Sequence, residues 1–172
     1  MKHIAKYKSP LGELLLISSD TALSGLWFDC GKHCKDFPKS TVNENAFDRN
    51  VNDVLEKTML WLDTYFSAKI PDFTVPVELH GTDFQKRVWE ILMEIPYGST
   101  ITYGEIANII AKEKGISKMS AQAVGQAVGS NKISILIPCH RVLGAQRKLT
   151  GYGGGLERKI SLLNLEGIEY TV

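Results

Sequence analysis

A cysteine and a histidine stand next to each other in the C-terminal half of the chain, at Cys139 and His140. A free thiol has a pKa of about 8.5, so most of it is the unreactive protonated form at neutral pH. A neighbouring imidazole can take up that proton and leave a thiolate, which is a strong nucleophile. The imidazole works better as a base when a carboxylate holds its tautomer, and Glu166 is the best candidate. The pair is therefore a candidate for nucleophilic catalysis, although a buried, inert cysteine beside a chance histidine would give the same pattern.

The elements that must position this pair are mostly helical. Thr82 to Gln85 matches a capping box, with a hydroxyl at the cap and Gln three residues later. Thr102 and Ser120 can cap two further short helices, and the link between these helices contains Gly115. Two short helices joined in this way predict a helix-turn-helix. The last helix runs from about Leu156 to Glu166, after a glycine-rich stretch that is typical of a loop or wing.

The N-terminal half predicts a small sheet and one helix. Three short apolar segments, at residues 3–8, 13–18 and 23–28, are separated by turn residues, which favours an antiparallel meander. Helical spacing of apolar residues within 44–68 then predicts an amphipathic helix. A proline-containing connector follows. We place a domain boundary near residue 80, which gives an α+β protein with domains 1–80 and 81–172.

Composition limits the class of protein. The chain has 172 residues, of which 44% are apolar and 23% charged, as in ordinary globular proteins. It has no apolar run of the roughly 20 residues that a membrane span needs, and no signal peptide at its start. Three cysteines are too few for a disulfide scaffold, so we expect free thiols in a reducing, cytoplasmic compartment. A net charge of +1 permits a polyanion partner and does not require one.

The string Pro138-Cys139-His140-Arg141-Val142 resembles the active-site signature of the O6-alkylguanine-DNA alkyltransferases, also called methylated-DNA–protein-cysteine methyltransferases. Further matches follow in that family's order along nearly the whole chain: Tyr7–Gly12, Leu62–Phe66, Phe84–Trp89, Pro96–Gly98, Thr102–Tyr103, Ala123–Gly125, Asn131, Tyr152–Gly155 and Leu162–Gly167. So many ordered matches do not arise by accident. The resemblance implies a ribonuclease H-like N-terminal domain with a small antiparallel sheet, followed by a winged-helix-like helical DNA-binding domain.

The resemblance also implies a mechanism. The substrate would be double-stranded DNA with O6-methylguanine, and also O4-methylthymine, flipped out of the base stack. By this resemblance His140 deprotonates Cys139 through a water, and Glu166 orients His140. The thiolate then attacks the alkyl carbon. Because a thioether is not hydrolysed under mild conditions, each molecule would act once, as a monomer without cofactor, metal or membrane partner.

Other residues receive roles from the same resemblance. Asn131 should hold the turn around the active site, and Tyr103 should hydrogen-bond or protonate the departing base. Tyr152 should stack beside the flipped ring. Backbone groups near Cys139, Val142 and Gly153 should read the edges of the base. Each residue also has an ordinary alternative: a core aromatic, a turn residue or part of a flexible loop.

The second helix of the helix-turn-helix, residues 120–129, is expected in the minor groove, where small residues such as Ala123 permit close approach. The family often has arginine immediately before Ala123, and this chain has Gln122. Glutamine lacks the charge and the planar fork of arginine, so we expect weaker DNA affinity or slower flipping. Val128 and Ser134 are not bulky, which favours tolerance of larger alkyl groups. Arg141 is either a phosphate contact or a structural residue. Further candidates for phosphate contacts are Arg87, Lys118, Lys132 and Arg147.

Two other functions remain open from the sequence. Alkyltransferase-like proteins bind O6-alkylguanine DNA without catalysis, and they carry Trp where this chain has Cys139. A cysteine hydrolase would need an oxyanion hole, and adjacent Cys-His residues are not the spacing of the common cysteine proteases. Cys30, His33 and Cys34 form a second cluster, but a zinc site needs four ligands and no second pair is present, so we expect exposed loop residues.

Overall fold

The computed structural model describes residues 1–29 and 51–172. Two compact units are present: Met1–His80 together with Lys132–Ser134, and Gly81–Asn131 together with Ile135–Val172. Within the described part of the chain, no helix combines the length and the apolar character that crossing a membrane requires. Cys30, His33 and Cys34 lie outside the described residues.

The first unit contains the predicted meander. Strands β1 (His3–Ser9), β2 (Gly12–Ser18) and β3 (Leu23–Phe28) form an antiparallel sheet in the order β1-β2-β3. The first hairpin is tight because Gly12 adopts a φ of 119°, a conformation that disfavours side chains. The expectation of a small antiparallel sheet is therefore confirmed.

Helix α1 (Asp53–Phe66) belongs to the same unit. It begins where Asn52 accepts a hydrogen bond from the Leu55 amide across 3.0 Å, so in the described part it starts later than the predicted range of 44–68. Its buried face carries Val54, Leu55, Thr58, Leu62 and Tyr65.

A short segment from later in the sequence also belongs to the first unit. Ile133 forms a parallel bridge with Leu26, the Leu26 amide donates to the Lys132 carbonyl across 2.8 Å, and the Ser134 amide donates to the Leu26 carbonyl across 2.9 Å. The domain range 81–172 does not anticipate this pairing.

The second unit is mostly helical. Its elements are α2 (Asp83–Met93), β4 (Ile101–Thr102), α3 (Tyr103–Lys114), α4 (Ala121–Gly129), β5 (Val142–Leu143) and α5 (Leu156–Leu165). Strands β4 and β5 pair in parallel. Thr82 and Thr102 each form a complete capping box, and Gly115 ends α3 in the left-handed conformation. The local start and stop signals therefore define α2, α3 and α4 as predicted.

A buried hydrogen bond ties α2 to α4. Trp89 is 2% exposed, and its indole Nε1 donates to the Ala127 carbonyl across 2.8 Å. The apolar faces of α2, α3 and α4 supply the core of this unit, which includes Val88, Leu92, Ile106, Ile110 and Val124.

Candidate active site

Cys139 begins a short 3-10 turn, Cys139–Arg141, and its side chain is buried. The backbone just before it follows an unusual path, because Ile135 has a φ of 70° although β-branched residues avoid the left-handed region. The Asn131 amide Nδ2 donates to the Ile137 carbonyl across 2.9 Å. Asn131 therefore braces the turn that presents the thiol.

His140 and Glu166 form a buried pair beside Cys139. Nε2 of the imidazole is hydrogen-bonded to Oε2 of the carboxylate, and both side chains are fully buried. Glu166 lies directly after α5, so this helix end sets the position of the carboxylate. A proton on Nε2, donated to Glu166, leaves Nδ1 as the basic nitrogen. The pair that the sequence identified is thus brought together.

Arg141 occupies the second oxygen of the same carboxylate. Its Nε donates to Glu166 Oε1 across 2.7 Å, its Nη1 donates to the Ile95 carbonyl across 2.7 Å, and the Gly98 amide donates to Oε1 across 3.1 Å. Arg141 is 7% exposed. Because its guanidinium is used in these internal contacts, the geometry favours a structural role for Arg141 and does not support its expected phosphate contact.

These contacts determine the protonation states of Glu166 and His140. Burial alone would raise the pKa of Glu166, but the hydrogen bond from His140, the charges of His140 and Arg141 and the Gly98 amide lower that pKa to about 2. Burial lowers the pKa of His140 and outweighs the opposing effect of Glu166. The result is an ionised carboxylate that holds a neutral imidazole, which is the form that can accept a proton.

The thiol itself is not ionised by its surroundings. Burial raises the pKa of Cys139, whereas hydrogen bonds from the Asn131 and Tyr152 side chains and the charge of Lys159 act in the opposite direction. Because burial prevails, a base is needed to form the thiolate, and His140 is next in the chain. The Asn131 and Tyr152 side chains therefore lie close to the sulfur, a position that the sequence analysis did not assign to them.

Lys159 is a site residue that the sequence analysis missed. It is completely buried on α5, and its Nζ donates to the Val142 carbonyl (2.7 Å), Thr150 Oγ1 (3.2 Å) and the Gly151 carbonyl (3.3 Å). A signal was available, because Lys159 shares the buried face of α5 with Leu162 and Leu163. A lysine on an apolar helix face requires partners, since an isolated buried charge is costly.

Tyr103 begins α3 and is half-buried. Its phenolic oxygen lies 3.1 Å from Thr150 Oγ1, so it is not an ordinary core aromatic. Thr150 was not singled out from the sequence, and nothing in its local pattern distinguishes it from a loop threonine. Gly153 is exposed, with open space where a side chain would lie. The Val142 carbonyl, expected at the base edge, accepts from Lys159.

The predicted DNA-reading helix divides into two faces. Gln122 is exposed and Ala123 is partly exposed, as a groove contact requires. Val128 is 5% exposed and packs into the core of the second unit, which does not support contact between its side chain and DNA. Arg87 is paired with Glu113 through Nε and Oε2 across 2.9 Å, so its guanidinium already has an acidic partner. Lys118, Lys132 and Arg147 are exposed.

A cavity of about 520 Å³ lies between α2 and α3 and contains none of the predicted site residues. Over residues 1–29 and 51–172, no group of three or more His, Cys, Asp or Glu side chains is arranged to hold a metal ion.

The chain thus combines a small antiparallel sheet and one helix in the first unit with a helical second unit that holds a buried Cys-His-Glu constellation. The family model "6-O-methylguanine DNA methyltransferase, DNA binding domain" matches residues 83–168, and "6-O-methylguanine DNA methyltransferase, ribonuclease-like domain" matches residues 2–79. The chain belongs to the 6-O-methylguanine DNA methyltransferase family.

Individual relatives are similar in sequence to this protein along nearly the whole chain. The methylated-DNA–protein-cysteine methyltransferase of Methanosarcina acetivorans is 42% identical over 96% of this chain and 98% of its own length. That of Haemophilus influenzae is 41% identical over 95% of this chain and 86% of its own length. The crystal structure of the Mycobacterium tuberculosis O6-methylguanine methyltransferase has a TM-score of 0.77 at 40% identity and covers 96% of this chain and 93% of that one. A structure of the M. tuberculosis protein in complex with DNA has the same TM-score, at 39% identity, covering 95% of this chain and 92% of that one.

Proposed function

We propose that the chain repairs alkylated DNA directly, by moving the alkyl group from O6 of guanine to Cys139 in a single, irreversible turnover. The observation that carries this proposal is the buried His140–Glu166 pair directly after a buried thiol. The named relatives are methylated-DNA–protein-cysteine methyltransferases at about two-fifths identity, which supports the same reaction here. A non-catalytic lesion sensor is not favoured, because Cys139 is present.

The chemistry follows from the arrangement of charges. Burial keeps His140 neutral, and Glu166 accepts the hydrogen bond from Nε2 and fixes the orientation of the ring. His140 takes the Cys139 proton through a water, and the thiolate sulfur attacks the alkyl carbon. The sulfur–carbon bond forms as the carbon–O6 bond breaks, and guanine leaves with the bonding electrons. The thioether that results has no route back to the thiol.

The residues around the Cys139 sulfur recognise the alkylated base. Tyr103 donates a proton to the departing base, Tyr152 stacks beside it, and backbone groups near Cys139 and Gly153 read its edge. A base within duplex DNA cannot reach a buried thiol, so it must be flipped out of the stack. Gln122, exposed on α4, is placed to fill the gap in the duplex.

The partner is double-stranded DNA that contains an O6-alkylguanine. The related M. tuberculosis protein has been crystallised with DNA, and α4 has the exposed small-residue face that close approach to a groove requires. We further propose that residues 81–172 hold the catalytic and DNA-binding apparatus, that the protein acts as a monomer, and that it works in the reducing cytoplasm, where the Cys139 thiol stays free.

The test is the intact mass of the protein after incubation with a duplex that carries one O6-methylguanine. We expect each molecule to gain one methyl group in place of one proton, mapped to Cys139 by peptide analysis. Cys139→Ser should bind the duplex without gaining mass. Further additions of fresh substrate should produce no second transfer.

Other outcomes would assign the chain differently. Lesion-dependent binding without a mass change would make it a sensor. Release of methanol over many turnovers would make it a hydrolase. Absence of both binding and mass change would contradict the proposal, and Gln122 would then be the first residue to exchange.

A further inference from the structure

A chain of hydrogen bonds connects the buried Lys159 ammonium group to Tyr103, the residue that the proposed function assigns to the departing base. Lys159 Nζ donates to Thr150 Oγ1 across 3.2 Å, and Thr150 Oγ1 lies 3.1 Å from the phenolic oxygen of Tyr103. Lys159 is fully buried in the second unit, whereas Thr150 and Tyr103 are half-buried. The three side chains come from α5, from the loop before it and from the start of α3.

Donor and acceptor chemistry gives this chain of hydrogen bonds a direction. An ammonium group has only protons to offer, so Thr150 must accept from Lys159. A tyrosine that donates its proton to a base has only lone pairs left for Thr150. The single proton of the Thr150 hydroxyl therefore points at Tyr103, and every one of these hydrogen bonds is oriented from Lys159 towards the base.

We propose that Lys159 and Thr150 form a proton relay that reprotonates Tyr103 as the base leaves. This inference rests on the proposed function, because it concerns the leaving-group half of the same transfer. Neither residue touches the substrate, so both act through Tyr103.

The step balances in atoms and charge. The Cys139 sulfur binds the alkyl carbon while the carbon–O6 bond breaks, and a ring nitrogen of the leaving guanine takes the Tyr103 proton. Thr150 passes its hydroxyl proton to Tyr103, and the Lys159 ammonium passes one to Thr150. Lys159 ends as a neutral amine and His140 ends protonated with the former thiol proton. Both then exchange protons with water.

The surroundings make Lys159 a suitable proton source. Burial lowers its pKa to about 8, although the facing Cys139 thiolate raises it. His140 also senses the charge of Lys159, and its own pKa is lowered in part for that reason. An ammonium group that gives up its proton near neutral pH is a better acid than an exposed lysine, and its carbonyl partners at Val142 and Gly151 keep it in place.

If Lys159 only anchored the loop that carries Gly151, substitutions at Thr150 would slow methyl transfer and Cys139 alkylation equally. Thr150→Val keeps the shape of the side chain and removes the hydroxyl, whereas Thr150→Ser keeps the hydroxyl. Two single-turnover rate constants would be measured for each variant: methyl transfer from an O6-methylguanine duplex, and alkylation of Cys139 by iodoacetamide. Iodide leaves without a proton, so the ratio of the two rates isolates the leaving-group step.

We expect Thr150→Val to lower this ratio on the order of 10- to 100-fold, and Thr150→Ser to restore most of it. In the wild type the ratio should decline above pH about 8, as Lys159 loses its proton, and in Thr150→Val that decline should vanish. In a Tyr103→Phe background Thr150→Val should have no further effect, because the relay then has no recipient. Thermal unfolding of each variant reports whether its fold is kept.

Two results would overturn the relay: a ratio that is unchanged in Thr150→Val, whether neither reaction slows or both slow equally, or full additivity with Tyr103→Phe. Equal slowing of both reactions would assign Lys159 and Thr150 to loop anchoring. Failure of the wild type to transfer methyl while it still reacts with iodoacetamide would overturn the proposed function, and the relay with it. Wild-type transfer with an unchanged ratio in Thr150→Val would overturn the relay alone.

Discussion

Arg141 Nε donates to Glu166 Oε1 across 2.7 Å, on the carboxylate oxygen that His140 does not use. Both side chains are buried, so this is an internal ion pair and not a surface contact. One carboxylate thereby fixes the imidazole and the arginine next to it in sequence. The consequence is that the residues directly after the nucleophile are anchored to the end of α5.

The first prediction concerns the contribution of the Arg141–Glu166 ion pair to the free energy of unfolding. Arg141→Met should lower the free energy of unfolding by about 3–5 kcal/mol, because it leaves Glu166 without one of its charged partners in a buried place. The pKa of Glu166 should rise and methyl transfer should slow. Urea unfolding followed by circular dichroism measures the first effect.

Arg87→Met is the matched control. Arg87 contacts Glu113 and Glu90 at the surface, so its loss should cost at most about 1 kcal/mol. Equal effects of the two substitutions would show that burial of the Arg141–Glu166 pair does not matter.

The second prediction concerns acid stability. The pKa of His140 is lowered from its ordinary 6.5, and that of Glu166 is lowered from 4.5 to about 2. The native state therefore binds fewer protons than the unfolded state below pH 6.5, and acid favours unfolding. The free energy of unfolding should fall as the pH drops below 6.5, with the Glu166 contribution lost between pH 4.5 and about 2.

His140→Asn tests this prediction, because asparagine cannot titrate in this range. Urea unfolding at several pH values between 5 and 8 should show a shallower dependence on pH in this variant. An identical slope in the two proteins would mean that His140 titrates normally in the native state.

Much of the fold could be predicted because its signals are local. The capping boxes at Thr82 and Thr102, and the left-handed Gly115, depend on residues within a few positions of one another. The Cys139–His140 pair could be identified for the same reason, since it is adjacent in the sequence. Glu166 could be named as the best candidate carboxylate, but its contact with His140, 26 residues away in the chain, could not be seen from the sequence.

Other features depend on long-range packing or on strain that the sequence does not announce. Ile135 takes a left-handed conformation against the preference of β-branched residues. The bridge of Ile133 with Leu26 joins distant parts of the chain. Thr150 contacts Tyr103 on α3 and Lys159 on α5, so its role depends on residues that are distant in the sequence. Arg141 appeared equally suited to a phosphate until its buried partners were visible.

The third prediction concerns Asn131. Its side chain holds the Ile137 carbonyl and lowers the pKa of the Cys139 thiol. Asn131→Ala removes both effects, and Asn131→Asp also places a negative charge near the sulfur, which raises the thiol pKa further. The rate of Cys139 alkylation by iodoacetamide at pH 8 should therefore fall in the order wild type, Asn131→Ala, Asn131→Asp.

Peptide mass analysis separates Cys139 from the other cysteines in this measurement. If Asn131→Asp reacts as fast as Asn131→Ala, the side chain braces the turn without influencing the charge on the sulfur.

The fourth prediction concerns Gln122, which is exposed on α4. Gln122→Arg should tighten binding to duplex DNA, with the slope of log affinity against log salt increasing by about one unit if the new charge meets a phosphate. It should also speed methyl transfer from duplex DNA, because an arginine fills the gap left by a flipped base better than a glutamine. Gln126→Arg adds the same charge one helical turn further on. If the effect of the new arginine is only electrostatic, both variants should gain equally in DNA affinity and in transfer rate. If residue 122 fills the gap in the duplex, only Gln122→Arg should accelerate methyl transfer from duplex DNA, and it should leave transfer from single-stranded DNA unchanged.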